Sequence, residues 1–162
     1  MKIAILGSAY PLRGGLASYN ERLARELKKE GHEVKIFTFS LQYPSLFFPG
    51  KSQYSDSSPP NDLNIEVCLN SINPLNWFFT AEKIRNFKPE LLIIKYWLPF
   101  MGPCLGTVAH LVRRGGTKVI TIVDNMIPHE SRVFDKILSK YFVSSSNAFI
   151  AMSDNVSEDI IK

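Results

Sequence analysis

The stretch KIAILGSAYPLRGGLASYNERLARELKKEGHEVKIFTF, residues 2–39, decides the fold. Lys2-Ile-Ala-Ile-Leu6 is an apolar run that stops at Gly7, the pattern of a strand buried on both faces. A loop, Gly7-Ser-Ala-Tyr-Pro-Leu-Arg-Gly-Gly15, follows. Leu16, Tyr19, Leu23 and Leu27 then recur at helical spacing, with Glu21, Arg22, Arg25, Glu26 and Lys28 on the other faces, and Gly31 is a helix stop. Glu33 to Phe39 reads as a second strand. Strand, helix and strand in this order form a βαβ unit, which predicts a right-handed crossover into a parallel sheet.

The same rhythm continues outward from this unit. The pattern predicts strands over Asn64–Leu69, Leu91–Tyr96, Lys118–Val123 and Ala148–Met152, and helices over Pro74–Phe87, Phe100–Arg114 and Ser131–Ser144. Residues 40–63 interrupt it with prolines, serines and the pair Phe47-Phe48, a loop of the length that carries function or mobility. The expected fold is therefore α/β: a doubly wound, mainly parallel sheet with helices on both faces and ligands at the carboxyl ends of the strands. Ser153 or Asn155, with Glu158 after it, opens a helix only a turn or two before Lys162. Residues 1–162 are thus expected to be one domain of a longer protein, cut as its last helix begins.

The composition of the 162 residues, 45% hydrophobic, 12% aromatic and 21% charged, is that of a globular chain and excludes disorder as its main state. Cys68 and Cys104 are too few for a disulfide framework or a structural zinc site and fit a reducing compartment. No apolar run reaches the roughly 20 residues of a membrane helix, and Met1–Leu6 is too short for a signal-peptide core. A cytoplasmic location is the expectation. The net charge of +4 is spread over residues 1–40 and 82–124 with no dense basic stripe, which argues against nucleic acid and for phosphates or an anionic lipid surface.

Three loops could carry chemistry. Gly14 and Gly15 open the first helix; they serve either a tight turn or the close approach of a phosphate to the helix N-terminus, with Arg13 adding a charge. Asp124, Asn125, His129 and Glu130 cluster after a buried strand. Asp124 and Asn125 can orient hydroxyls, and His129 and Glu130 can exchange protons or hydrogen bonds; alternatively Asp124 or Asn125 satisfies turn amides and His129 lies solvated near a helix start. Lys95-Tyr-Trp-Leu-Pro-Phe100 places Trp97 where it stacks on a sugar or packs against the following helix, while Lys95 in an apolar strand needs a partner or a water path. His32 reads as a turn cap and His110 as a satisfied, partly buried side chain. No histidine spacing or Asp-x-Asp pair marks a metal.

Taken in order, these segments resemble retaining GT-B glycosyltransferases of the large family 4 group. The resemblance rests on Lys2-Ile-Ala-Ile-Leu6, Pro11 with Gly14-Gly15, Gly31-His-Glu-Val34, Pro89-Glu-Leu-Leu-Ile-Ile94, Val119 through Glu130, and Ala148-Phe-Ile-Ala-Met-Ser153, and covers essentially the whole chain. It implies the N-terminal, acceptor-binding, Rossmann-like half of a two-domain enzyme whose absent second domain holds most of a nucleotide-sugar. It further implies transfer with retention to a glycan or lipid-linked acceptor, as in polysaccharide biosynthesis, with no metal and no covalently bound cofactor. Phe47-Phe48, Trp77-Phe78-Phe79 and the basic excess permit docking at the inner face of a membrane. Asp124 and His129 would be catalytic, Arg13, Gly14 and Gly15 would face the donor diphosphate, and Trp97, Asn125 and Glu130 would meet the acceptor. One position departs from the group: Asp124 stands where a histidine is usual.

Two other readings fit the same fold class. A dinucleotide-binding oxidoreductase half needs a GxGxxG fingerprint and an acid after the second strand, where Thr38-Phe-Ser40 stands. A flavodoxin-like interaction module of the phospho-acceptor kind needs acids after the first strand, and Gly7-Ser-Ala-Tyr10 supplies none.

Overall fold

The computed structural model describes residues 1–44, 53–125 and 133–161. The apolar run Lys2–Leu6 forms β1, followed by α1 (Gly15–Lys29), β2 (Glu33–Leu41), β3 (Ile65–Asn70), α2 (Pro74–Phe87) and β4 (Leu91–Tyr96). A 3₁₀ turn over Pro99–Met101 leads into α3 (Gly102–Arg114), and β5 (Lys118–Val123), α4 (Val133–Val143), β6 (Ala148–Ala151) and α5 (Asp154–Ile161) complete the chain. The strands form one sheet in the order β3-β2-β1-β4-β5-β6. Every pairing is parallel. The strand order reverses between β1 and β4, so the crevice of a doubly wound sheet opens at their carboxyl ends.

Strand alternation divides the core in two. Ile3, Ile5, Val34, Ile36, Ile93 and Ile122 face α1 and meet Tyr19, Leu23 and Leu27 of the expected stripe, together with Ala24. Ala4, Leu6, Phe37, Phe39, Leu92, Ile94 and Tyr96 face the other way, against α2, α3 and Phe142 of α4. The Tyr96 and Phe142 rings stack with centroids 4.1 Å apart. Helices therefore cover both faces, as the pattern predicts.

The element boundaries differ in small ways with local causes. Irregular register after Thr38 lets β2 run on to Leu41, which pairs with Asn70. Asn73 starts α2: its side-chain oxygen accepts from the N–H of Leu75 at 3.1 Å and of Asn76 at 3.4 Å, with Pro74 in the first turn. The start expected at Ser131 lies outside the described residues, and the last strand ends at Ala151.

Candidate functional site

Construction of the site begins at Gly7, immediately after β1. Its N–H donates to the Phe37 carbonyl at 3.1 Å. A β-carbon at this position would lie 2.6 Å from Asn20 Nδ2 and 3.5 Å from Lys95 Cβ. Asn20, buried in α1, uses that amide to donate to the Ser8 carbonyl at 2.8 Å. The glycine is therefore required by close approach: a side chain would push Asn20 off the loop.

The rest of the loop is held residue by residue. Ser8 Oγ donates to Gln42 Oε1 at 2.6 Å, the Ala9 N–H donates to Thr38 Oγ1 at 2.9 Å, and the Tyr10 N–H donates to Glu21 Oε1 at 2.9 Å. Leu12 pairs with Tyr54 in a short antiparallel bridge, flanked by Arg13 N–H to the Gln53 carbonyl and Ser55 N–H to the Pro11 carbonyl. These contacts fix where the next residues, Gly14 and Gly15, present the start of α1.

Gly14 is the N-cap of α1, with φ 110° and no side chain to accept the free N–H groups of the first turn. That φ favours glycine. Gly15 is different: it has no such φ, and a β-carbon added there meets no atom within 4 Å. Neither packing nor backbone strain asks for a glycine at Gly15. Beside this bare N-terminus lies a cavity of about 250 Å³, lined among others by Arg13, Gly14, Ser18, Glu21, Ser55 and Ser57; the Glu21 carboxylate is engaged by the Tyr10 N–H and by Arg25. Its walls are hydroxyl-rich, and the helix dipole adds positive potential, an arrangement suited to an anion.

The second feature sits at the ends of β4 and β5. Lys95 is 2% exposed, yet its ammonium ion-pairs with Asp124, Nζ to Oδ1 being 2.6 Å. The same nitrogen lies 3.7 Å from the centroid of the Tyr19 ring, a cation–π contact from the second turn of α1. The Asp124 backbone is fixed too, its N–H donating to the Tyr96 carbonyl at 2.9 Å. Lys95 thus finds the partner that its place in an apolar strand demands, and it joins the start of α1 to the end of β5.

The remaining expected site residues are placed as follows. Asn125 is exposed beside Asp124. Trp97 is half-buried on the α2/α3 side: its indole N–H donates to the Tyr43 hydroxyl at 2.7 Å, and its ring meets Phe39 edge-on at 6.2 Å. Those contacts tie β4 to the base of the loop after β2. His129 and Glu130, like Phe47-Phe48, lie outside the described residues. His110 packs against Tyr141 and contacts Ser144 Oγ at 3.2 Å; burial, then Arg113 and Arg114, lowers its pKa. Among the described residues no group of three His, Cys, Asp or Glu side chains could hold a metal ion. No described helix is long and apolar enough to cross a membrane.

Lys95, Asn20, Tyr19 and Gln42 are structural members of this site that sequence reasoning did not assign to it. Only Lys95 carried a signal, a cation inside an apolar strand. A larger cavity of about 720 Å³ lies at the opposite, amino end of the strands, between α2 and α3, where Lys88, Glu90 and Gly116 precede β4 and β5. It is remote from the crevice where doubly wound sheets bind ligands.

The sequence profile of Glycosyltransferase Family 4 matches residues 13–162. No curated protein matches the chain. An alpha-glucosyltransferase solved with UDP and a mismatched 13-mer DNA superposes with a TM-score of 0.62 at 12% identity, over 96% of this chain and 38% of that one. Sucrose-phosphate synthase from Thermosynechococcus elongatus superposes with 0.61 at 13% identity, over 99% and 45%. MurG from Acinetobacter baumannii superposes with 0.58 at 12% identity, over 96% and 42%. At these identities the likeness concerns the fold, a Rossmann-like α/β sheet shared with GT-B enzymes. The chain spans less than half the length of each of these three proteins. The match across almost all of its residues makes the chain a member of Glycosyltransferase Family 4.

Proposed function

We propose that this chain is the acceptor-binding domain of a retaining hexosyltransferase that moves a sugar from a nucleotide-sugar to a glycan or lipid-linked acceptor. The observation that carries this reading is the bare start of α1, where Gly15 is a glycine that neither space nor backbone requires. Breaking the bond between a sugar and a diphosphate builds negative charge on the leaving group. The free N–H groups at Gly14-Gly15 and the neighbouring Arg13 offset that charge, with no metal assigned to the role. Asp124 supplies a fixed carboxylate for the sugar, with His129 as the second catalytic residue. Asn125, Glu130 and the surroundings of Trp97 are assigned to acceptor recognition. A second domain holds the nucleotide across the cleft.

A lipid-linked acceptor at the inner face of a membrane suits the surface of α2. Ile72, just before α2, and Leu75, Phe78 and Phe79 in its first two turns are each at least half exposed. Such an apolar tip on a chain of net charge +4 favours an anionic bilayer. Trp77 does not belong to this tip, because its indole N–H donates inward to the Asn70 carbonyl at 2.8 Å.

The test is to incubate the complete protein, second domain included, with UDP-glucose, UDP-galactose, UDP-N-acetylglucosamine and GDP-mannose. Nucleoside diphosphate release is measured and the product anomer read by NMR. One donor is expected to turn over with its anomeric configuration kept. Release from none of the four refutes glycosyl transfer from these donors; an inverted product refutes retention alone.

A further inference from the structure

We propose that Lys95 is a positioning residue for sugar transfer: it fixes the Asp124 carboxylate at the mouth of the β1/β4 crevice so that the second carboxylate oxygen accepts a hydroxyl of the bound sugar. The proposal rests on the glycosyltransferase reading above and adds to it a residue and a ligand chemistry.

The placement comes from the register of the sheet. Lys95 pairs with Ile122 and Tyr96 with Val123, so Asp124 follows β5 directly beside the end of β4. Lys95 shares the strand face of Ile93, towards α1, where its ammonium lies under the Tyr19 ring and its stem runs past Gly7. The two partners are unequally covered. The Lys95 side chain is 3% exposed and that of Asp124 is 32% exposed. Sealed in this way, Lys95 does not itself meet a ligand. Asp124 does: Oδ1 is engaged by Lys95, and among the described residues no hydrogen bond to Oδ2 is seen.

Folding alone does not favour this arrangement. Taking an ammonium out of water is costly, and apolar residues of similar volume usually serve a core as well as or better than a buried ion pair. The neighbours Ile93, Ile94 and Tyr96 show that this strand end accepts apolar side chains. What a sealed cation provides, and a methionine does not, is a carboxylate held in one orientation at a ligand-binding edge. A sugar hydroxyl is a donor that such a carboxylate accepts in a short, charge-assisted bond. Preorganised contacts of this kind act on transfer because no reorientation is needed as the reaction proceeds.

The experiment compares three forms of the complete protein: wild type, Lys95→Met, and Lys95→Met with Asp124→Leu. Turnover is followed with whichever of UDP-glucose, UDP-galactose, UDP-N-acetylglucosamine and GDP-mannose the wild type uses, and with the mono-deoxy analogues of that donor's sugar. Lys95→Met is expected to lower kcat/KM by about 100-fold, the scale of a misplaced positioning group. It should also lower the melting temperature, because it leaves Asp124 without its partner. The double variant should regain the melting temperature and not the turnover. In the wild type one deoxy analogue should be a much poorer donor than the parent sugar, and Lys95→Met should lose that discrimination. A double variant that regains turnover, or a Lys95→Met form that keeps the discrimination, overturns the proposal and leaves glycosyl transfer standing. A wild type that uses none of the four donors removes both.

Discussion

Replacing Gly15 by Asp separates a glycine kept for folding from one kept for a ligand. Gly15 is the first residue of α1, behind an N-cap glycine with no side chain, and an added β-carbon there touches nothing within 4 Å. An acidic side chain at a helix N-terminus gains about 0.3–1 kcal/mol from the aligned backbone dipoles. Losing a glycine restricts the unfolded chain, worth about 0.4–1 kcal/mol where the native backbone is unstrained. The two gains together make about 1 kcal/mol, or a rise of about 2–4 °C in melting temperature for a domain of this size. The effect on donor binding has the opposite sign. Two like charges about 4 Å apart repel by about 4 kcal/mol at the effective dielectric of a protein surface. Some of that is screened, and a loss of about 100-fold in kcat/KM corresponds to about 2.7 kcal/mol. Calorimetry and donor kinetics on the complete protein measure both quantities, with Gly15→Ala as the uncharged reference. A variant several degrees less stable would show that folding needs this glycine after all. A variant with unchanged kcat/KM would remove the diphosphate from the start of α1.

Gly7→Ala should act through folding instead, because its β-carbon meets Asn20 Nδ2 at 2.6 Å and breaks the amide's bond to Ser8. A buried amide left unpaired costs about 1–3 kcal/mol, so thermal unfolding should show a drop of about 2–12 °C; an unchanged melting temperature would contradict the close-approach argument. Burial pushes the Cys68 thiol up to about 11 and the Cys104 thiol up to about 12. Neither should react with an aromatic disulfide reagent at pH 8 until the protein is unfolded, and peptide mapping of label on the native protein checks this. Phe79→Asp places a charge in the exposed tip of α2 and should abolish pelleting with anionic liposomes at low salt. Equal pelleting of wild type and variant would move any membrane contact elsewhere.

Much of the fold was legible because its cause is local. An apolar run as short as Ile3–Leu6, stopped by Gly7, suits a strand covered on both sides, and the stripe Leu16, Tyr19, Leu23 and Leu27 has only one helical face to bury. Boundaries were less so. The extension of β2 to Leu41 depends on a register irregularity against β3, and no period within β2 itself reveals it. The two glycines at the start of α1 show a second limit. Side by side in sequence they look alike, yet Gly14 answers to its φ of 110° and Gly15 answers to nothing in the chain. Only coordinates distinguish a glycine that the backbone requires from one that it merely tolerates.

The ion pair shows a deeper limit and explains it. Lys95 and Asp124 are 29 residues apart, and either alone has an ordinary reading: a cation needing a partner, a polar residue in a turn. What makes them one feature is the parallel register that sets Tyr96 against Val123, so that the residue after β5 falls beside the last inward-facing position of β4. Side chains alternate along a strand, so a slip of one residue in β4 would turn the lysine to the α2/α3 face and bring Ile94 or Tyr96 to the crevice. The hydrophobic pattern that settles this register also settles where the one charged side chain within that apolar strand must emerge. Burying Ile93 towards α1 and Ile94 towards α2 and α3 leaves Lys95 under Tyr19, and there the carboxylate at the end of β5 is within reach. The chemistry of the crevice is thus fixed by core packing several residues away. Substitutions at Ile93 or Ile122 that loosen this packing should therefore disturb Asp124 without touching it.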